Sequence, residues 1–194
     1  MAHPVELDCS YEETADRLRV FFRFLLVIPH LIFLGIYGIP AFFVEAIAML
    51  VLLFSAKYPE KMWNYVLRYL RFDIRVSGYI MFLTDEYPPF NGNEEESYPV
   101  TFYIDRPDKW CWFKFILRIF GFVIMLPICM LVLLVLTILT PTQMGIAFYS
   151  GKRDATAFEL QVKCLRFMAR YAAFVMCLTD ELPAVLFFGL EEVD

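Results

Sequence analysis

Two acidic pairs stand out as groups able to do chemistry: Asp85-Glu86 and Asp180-Glu181, each closing the same phrase, Leu-Thr-Asp-Glu. Adjacent carboxylates act as acid and base when their surroundings split their pKa values. Neither pair has a partner histidine or serine nearby. Each follows an apolar stretch and is followed, after one intervening residue, by a proline. Thr84, Asp85, Glu86, Thr179, Asp180 and Glu181 are therefore expected to form a structural exit motif. Short oxygen-bearing side chains satisfy backbone amides where a chain leaves a helix, and the carboxylates can pair with an arginine stripe.

Glu45 is the single charged residue between Phe24 and Phe54. An intramembrane carboxylate is costly and marks a proton relay or cation site, unless it reaches the interface beside a bend. His30, next to Pro29 in the same run, is either a hydrogen-bonded packing residue or a haem or chlorophyll ligand; no other cofactor is expected. Arg68, Arg71 and Arg75 recur at i, i+3 and i+7, as do Lys163, Arg166 and Arg170, so each trio forms one helical stripe. Such stripes suit ion pairs or anionic lipid headgroups, each cation near the surface contributing about 1 kcal/mol. Cys9, Cys111, Cys129, Cys164 and Cys177 show no C-x-x-C spacing, so neither a metal site nor a disulfide framework is expected. No Walker loop, dinucleotide fingerprint, H-E-x-x-H or G-x-S-x-G occurs. The chain reads as non-enzymatic. Its basic residues hug apolar runs, which implies no nucleic acid.

The elements that must hold these residues follow from composition. Hydrophobic residues make up 60% of the chain and charged residues 20%. From Ile119 to Gly151 there is no charge at all. Runs this long exceed the roughly 20 residues that cross a bilayer, and they lack the polar face of a water-soluble helix. The amino terminus is acidic and carries no secretory signal pattern, so the first apolar run is expected to serve as its own insertion signal.

Aligning Leu83 with Leu178 sets an offset of 95 residues. In that register Pro4-Val5 meets Pro99-Val100, Arg23 meets Arg118, and Ser55-x-Lys57 meets Ser150-x-Lys152. Leu70-Arg71-Phe72 likewise meets Leu165-Arg166-Phe167, Arg75 meets Arg170, and Pro88 meets Pro183. Residues 1–90 are read as a first membrane repeat, 91–97 as an acidic linker and 98–194 as a second repeat. Each opens with period-two alternation, Val5 to Tyr11 and Val100 to Ile104, the mark of a half-buried strand. Ser10-x-x-Glu13, with Asp105-x-x-Asp108 at the matching place, suggests a helix cap. The apolar run of about 40 residues would reach about 60 Å as one helix, twice the hydrocarbon thickness. Gly35, Gly38 and Pro40 therefore predict a tight hairpin turn, spanning or re-entrant. Pro127 and Thr140–Gly145 are the weaker break in the second copy. A third element, from about Pro59 to Leu83 and from Asp154 to Leu178, carries the basic stripe with aromatic flanks and is expected at the headgroup layer, or as a third membrane crossing with its charges turned inward.

Pro-Val at the start, Ile28-Pro29-His30-Leu31-Ile32 and Leu83–Phe90 together resemble a bacterial membrane-protein family catalogued as domain of unknown function 4389. The second copy keeps Tyr98-Pro99-Val100 and Leu178–Glu181 but has Met125 in place of His30 and Ala184 in place of Pro89. The resemblance implies no catalytic residue. The fold expected is mainly α and integral to the membrane, in two tandem pseudo-symmetric repeats. Each repeat would hold a short strand, a helical hairpin and an amphipathic basic interfacial helix. Lys and Arg before and after each hairpin favour the cytoplasmic side, which predicts a multi-pass bacterial inner-membrane protein with both termini cytoplasmic. Its expected partners are anionic lipids and either other membrane subunits or further copies of itself. Its expected role is that of an accessory subunit. The alternatives are a small transporter or channel with a path near Glu45, and a lipid-handling or membrane-shaping protein.

Overall fold

Both alternating segments form strands, β1 (Val5–Cys9) and β2 (Val100–Ile104), and they pair with each other across the two copies. The computed structural model describes residues 3–55, 57–95, 97–107, 110 and 112–181, with backbone alone at 112–117, 119, 121 and 122. The sheet is antiparallel, with Leu7 opposite Phe102 at its centre. Val5, Leu7, Val100, Phe102 and Ile104 point into the core, while Glu6, Asp8 and Tyr103 are exposed.

Among the described residues there are four helices: α1 (Arg17–Ser55), α2 (Glu60–Ile80), α3 (Trp112–Ser150) and α4 (Ala155–Val175). The order strand, long helix, shorter helix occurs twice. The predicted hairpin turn is absent. Gly35, Gly38 and Pro40 lie within unbroken α1, and Pro127 and Thr140–Gly145 within unbroken α3. A turn would strip several backbone groups of their partners, each costing several kcal/mol away from water. A proline inside a helix forfeits one bond, at about 3 kcal/mol. The helix wins. Gly38 serves close packing instead: a Cβ there would meet the Tyr69 hydroxyl at 3.1 Å.

The chain turns back after α1 rather than within it. Arg23 meets Tyr79, His30 meets Phe72, and Tyr37 meets Tyr69, so α2 runs antiparallel along α1. Arg17 and Lys57 therefore flank opposite ends of one helix, which removes the expectation that both basic clusters gather at one hairpin base.

The helix cap is also relocated. Ser10 and Glu13 lie ahead of α1, and Asp16 Oδ1 accepts the Leu18 and Arg19 amides at 2.9 and 3.4 Å. Glu13 instead bonds Lys152 of the other copy at 2.7 Å. Asp108, Lys109, Cys111, Pro183 and Ala184 lie outside the described residues.

α2 and α4 occupy the expected spans but not the expected place. Val66, Leu67, Leu70 and Ile74 of α2 join Phe158, Val162, Leu165 and Ala169 of α4 beneath the inner face of the sheet. The two copies thus share one core, and the stripe-bearing helices are central rather than interfacial. The long helices lie outside. By length and composition, Arg17–Ser55 and Val123–Ser150 could each cross a membrane, yet only 17% and 22% of their most apolar stretches are buried.

Candidate functional site

The Leu-Thr-Asp-Glu phrase begins where each shorter helix ends. Beyond Ile80 the Leu83 amide donates to the Gly78 carbonyl (3.1 Å) and the Phe82 amide to Tyr79 (3.2 Å). Leu178 and Cys177 repeat this onto Ala173 and Phe174, at 2.9 and 3.2 Å. These are the paired bonds of a Schellman-type stop, which needs a left-handed residue. Phe82 (φ 65°) and Cys177 (φ 58°) fill that position where glycine is usual. Thr84 Oγ1 then accepts the Glu86 amide at 3.0 Å, and Thr179 Oγ1 the Glu181 amide at 3.2 Å. The expected exit motif is present in both copies, with Glu86 and Glu181 exposed.

Its carboxylates do pair with arginines, but not with the stripe. Arg23 donates to the Tyr79 and Thr84 carbonyls at 2.8 and 2.9 Å and to Asp85 Oδ1 at 2.5 Å. Arg118 does the same with Phe174, Thr179 and Asp180 Oδ1, at 3.0, 2.8 and 2.6 Å. The guanidinium of Arg23 also lies 4.4 Å from the Tyr79 ring and 4.2 Å from the Phe82 ring, adding cation–π attraction. Asp85 has further partners: Arg153 of the second copy at 2.7 Å, and the Asp16 amide at 2.8 Å. Arg153 in turn donates to the Phe82, Glu12 and Thr14 carbonyls. This latch ties the start of α1, the end of α2 and the end of α3 together.

The basic stripes close the sheet. Ser10 donates to Pro99 and Asp105 to Pro4, so the alternation of an antiparallel ladder leaves Leu7 and Phe102 with carbonyls turned outward. Arg71 Nε donates to Phe102 O at 3.1 Å, and Arg166 Nε to Leu7 O at 3.1 Å. Each copy's helix therefore caps the open edge of the other copy's strand, a liability when left bare. Arg75 donates to the Asn91 and Asn93 carbonyls, and Arg170 to Val5. The acidic linker lies over the first stripe, pairing Glu94 with Arg71 at 2.9 Å and Glu95 with Arg75 at 3.7 Å. Of the two expected roles, Arg71 and Arg75 take the ion pair, with the linker, and the stripe faces inward rather than toward a headgroup layer. Only Arg68 and Lys163 of the six are exposed.

A family model described as a domain of unknown function (DUF4389) matches residues 17–91 and again residues 111–186. The chain belongs to the DUF4389 family. It carries the domain twice, and the two matches coincide with the two structural copies. No curated protein and no solved structure matches it.

In this DUF4389 pair the copies diverge at the remaining candidates. His30 is fully buried, with Nε2 2.8 Å from the Pro88 carbonyl and the ring stacked on Phe90 at 4.2 Å. Both nitrogens face carbonyl oxygens, the other being Leu26 O at 3.3 Å. Those contacts give His30 the packing role, fastening the Tyr87–Phe90 loop to α1. Glu45 is half-buried. Its charge helps raise the Tyr58 and Tyr69 hydroxyls, after burial as the main cause and with Cys177 and Asp73 contributing more. Asp73 of α2 was not singled out by its sequence position. Burial pushes its carboxyl up from 3.8 to about 6. Burial also pushes the Cys9 thiol up to about 12 and the Cys177 thiol to about 11, which leaves both as poor nucleophiles. Among the described residues no cluster of metal-ligating side chains occurs. Arg23 and Arg118 carried a usable signal, since they align at the same offset as Asp85 and Asp180. Arg153 carried none: its counterpart is Tyr58.

Proposed function

We propose that this DUF4389 protein is a non-enzymatic, multi-pass membrane protein that serves as a structural or accessory subunit of a membrane assembly. The observation that carries the reading is the outer surface of α1 and α3. Phe21, Phe24, Ile28, Ile36, Phe42 and Phe54 are all exposed on α1, and Val123, Ile124, Leu131 and Ile138 on α3. A soluble core helix would be mostly covered, and a contiguous apolar surface of this extent calls for lipid or protein around it. Asp85 and Asp180 of the exit motif and Arg71, Arg75, Arg166 and Arg170 of the stripes support a structural role, because they bond the chain's own backbone or charged side chains of its helix starts and linker. Both termini are assigned to the cytoplasmic side of a bacterial inner membrane. The start of α1 lies beside the exit of α2, where the Asp16 amide rests on Asp85, and this supports both ends of the first copy lying on one side. Anionic lipids are the expected non-protein partners.

Two measurements test this. Carbonate washing of native membranes should leave the protein in the pellet; release into the supernatant would end the membrane reading. Mild-detergent purification followed by mass spectrometry should recover a stoichiometric membrane partner, and recovery of the chain alone would count against the accessory role. Glu45 favours a second reading, a small transporter, because no hydrogen bond or ion pair engages its carboxylate among the described residues. In liposomes, cation or proton flux lost on Glu45→Gln would select it.

A further inference from the structure

A groove of about 450 Å³ lies between α2, the outer edge of β2 and the acidic linker. Asn64, Arg68, Arg71, Asn93, Glu94 and Arg106 supply its polar lining. Three arginines and one glutamate thus line it, with Arg71 paired to Glu94 at 2.9 Å. Arg71 is almost fully buried and fixed by its bond to Phe102 O, yet its Nη2 points to Glu94, whose side chain is 68% exposed. Arg68 is exposed, and among the described residues it makes no hydrogen bond or ion pair. Arg106 is anchored through Nη2 to the Tyr58 carbonyl at 2.8 Å, and its Nη1 is 3.7 Å from exposed Glu60.

We propose that this groove binds a phosphate-type anion, with Arg68 and Arg106 holding it and the Glu94 carboxylate acting as a displaceable internal substitute on Arg71. Guanidinium forks match phosphate oxygens in pairs. Asn64 and Asn93 add amide groups able to donate to the remaining oxygens. An exposed glutamate over a buried arginine held by two backbone carbonyls sets the site's affinity by competition. The other copy cannot build it: Glu159 replaces Asn64 and Tyr11 replaces Arg106 at the aligned positions. The inference deepens the anionic-lipid part of the proposed function and rests on that reading only for the ligand's source, lipid or free.

The test is calorimetric titration of the full chain, in a neutral detergent, with inorganic phosphate and separately with short-chain phosphatidic acid. Arg68→Gln and Arg106→Gln should each weaken binding about fivefold. Glu94→Gln should tighten it, and Lys163→Gln, the aligned exposed cation of the other copy, should change nothing. Binding of the lipid alone identifies a headgroup site, and equal binding of both identifies a site for free phosphate. The proposal is overturned if neither anion binds, if Lys163→Gln matches Arg68→Gln, or if Glu94→Gln leaves affinity unchanged. Release of the protein by carbonate washing would remove the membrane reading while leaving a phosphate result intact.

Discussion

Replacing Asp85 with asparagine tests the latch at its most charged point. The side chain is 11% exposed and lies between Arg23 and Arg153, whose side chains are 2% and 1% exposed, at 2.5 and 2.7 Å. Asparagine keeps the shape and one acceptor oxygen. Its amide group, however, must turn two donor hydrogens toward guanidinium donors, and the compensating negative charge is gone. Breaking a buried pair by removing one partner costs about 3–5 kcal/mol, because the surviving charge is left unpaired. Here two cations survive, held against carbonyls that still accept from them, so about 3 kcal/mol is the expected minimum. For a chain of this length each kcal/mol shifts Tm by about 2–4 °C, giving a fall of at least about 6 °C in a detergent thermal-unfolding assay. Glu86→Gln is the internal control, since that neighbouring carboxylate is exposed and should move stability by less than about 0.5 kcal/mol. The double variant Asp85→Asn with Arg153→Met should lose less than the sum of the two single losses, because the two residues touch. The latch argument fails if Asp85→Asn unfolds within a degree or two of Glu86→Gln, or if the two single losses simply add.

Gly35→Ala should stabilise the chain by up to about 1 kcal/mol, since alanine is the better helix former and a Cβ there meets nothing within 4 Å; destabilisation in the same unfolding assay would reinstate a turn at Gly35–Pro40. At the left-handed stops, glycine should act unequally in the two copies. Phe82→Gly relieves about 1–2 kcal/mol of backbone strain but forfeits a buried ring, about 3–5 kcal/mol, for a net loss, whereas Cys177→Gly gives up a far smaller side chain and should come out near neutral. Denaturant midpoints of both variants check the ordering. Asp73 predicts a pH effect. Its carboxyl is raised from 3.8 to about 6, so the folded state binds its proton more tightly than the unfolded state does. That contribution to stability is fully present below about pH 4 and is lost as pH rises through 6, on the order of 3 kcal/mol. Asp73→Asn should therefore raise Tm at pH 7.5 and flatten that segment of the Tm–pH profile; an unchanged profile would contradict the burial argument.

The residues that made the repeat visible are the ones that hold it together. Arg23 and Arg118, or Asp85 and Asp180, align because an arginine on the long helix and an aspartate at the exit of the shorter one form the same bond twice, and neither works without the other. Strand alternation was equally legible, because period two decides which side of a pleated strand is covered. Two things were not legible, for different reasons. The glycine and proline of "GIYGIP" obey local rules for turns, but backbone hydrogen bonding away from water outweighs those rules. The stripes were legible as faces, with the headgroup layer and an inward turn both left open. Spacing at i, i+3 and i+7 says that three cations point one way and cannot say what lies there. What lies there is a strand edge supplied by the other copy, 31 residues from Arg71 and 159 from Arg166. A cation that looks like a headgroup anchor on an isolated helix thus becomes a donor to a carbonyl once the second copy is present. By that logic a single DUF4389 copy would leave Arg71 buried opposite no strand. The unit should fold only as a pair, whether fused in tandem as here or assembled from two chains.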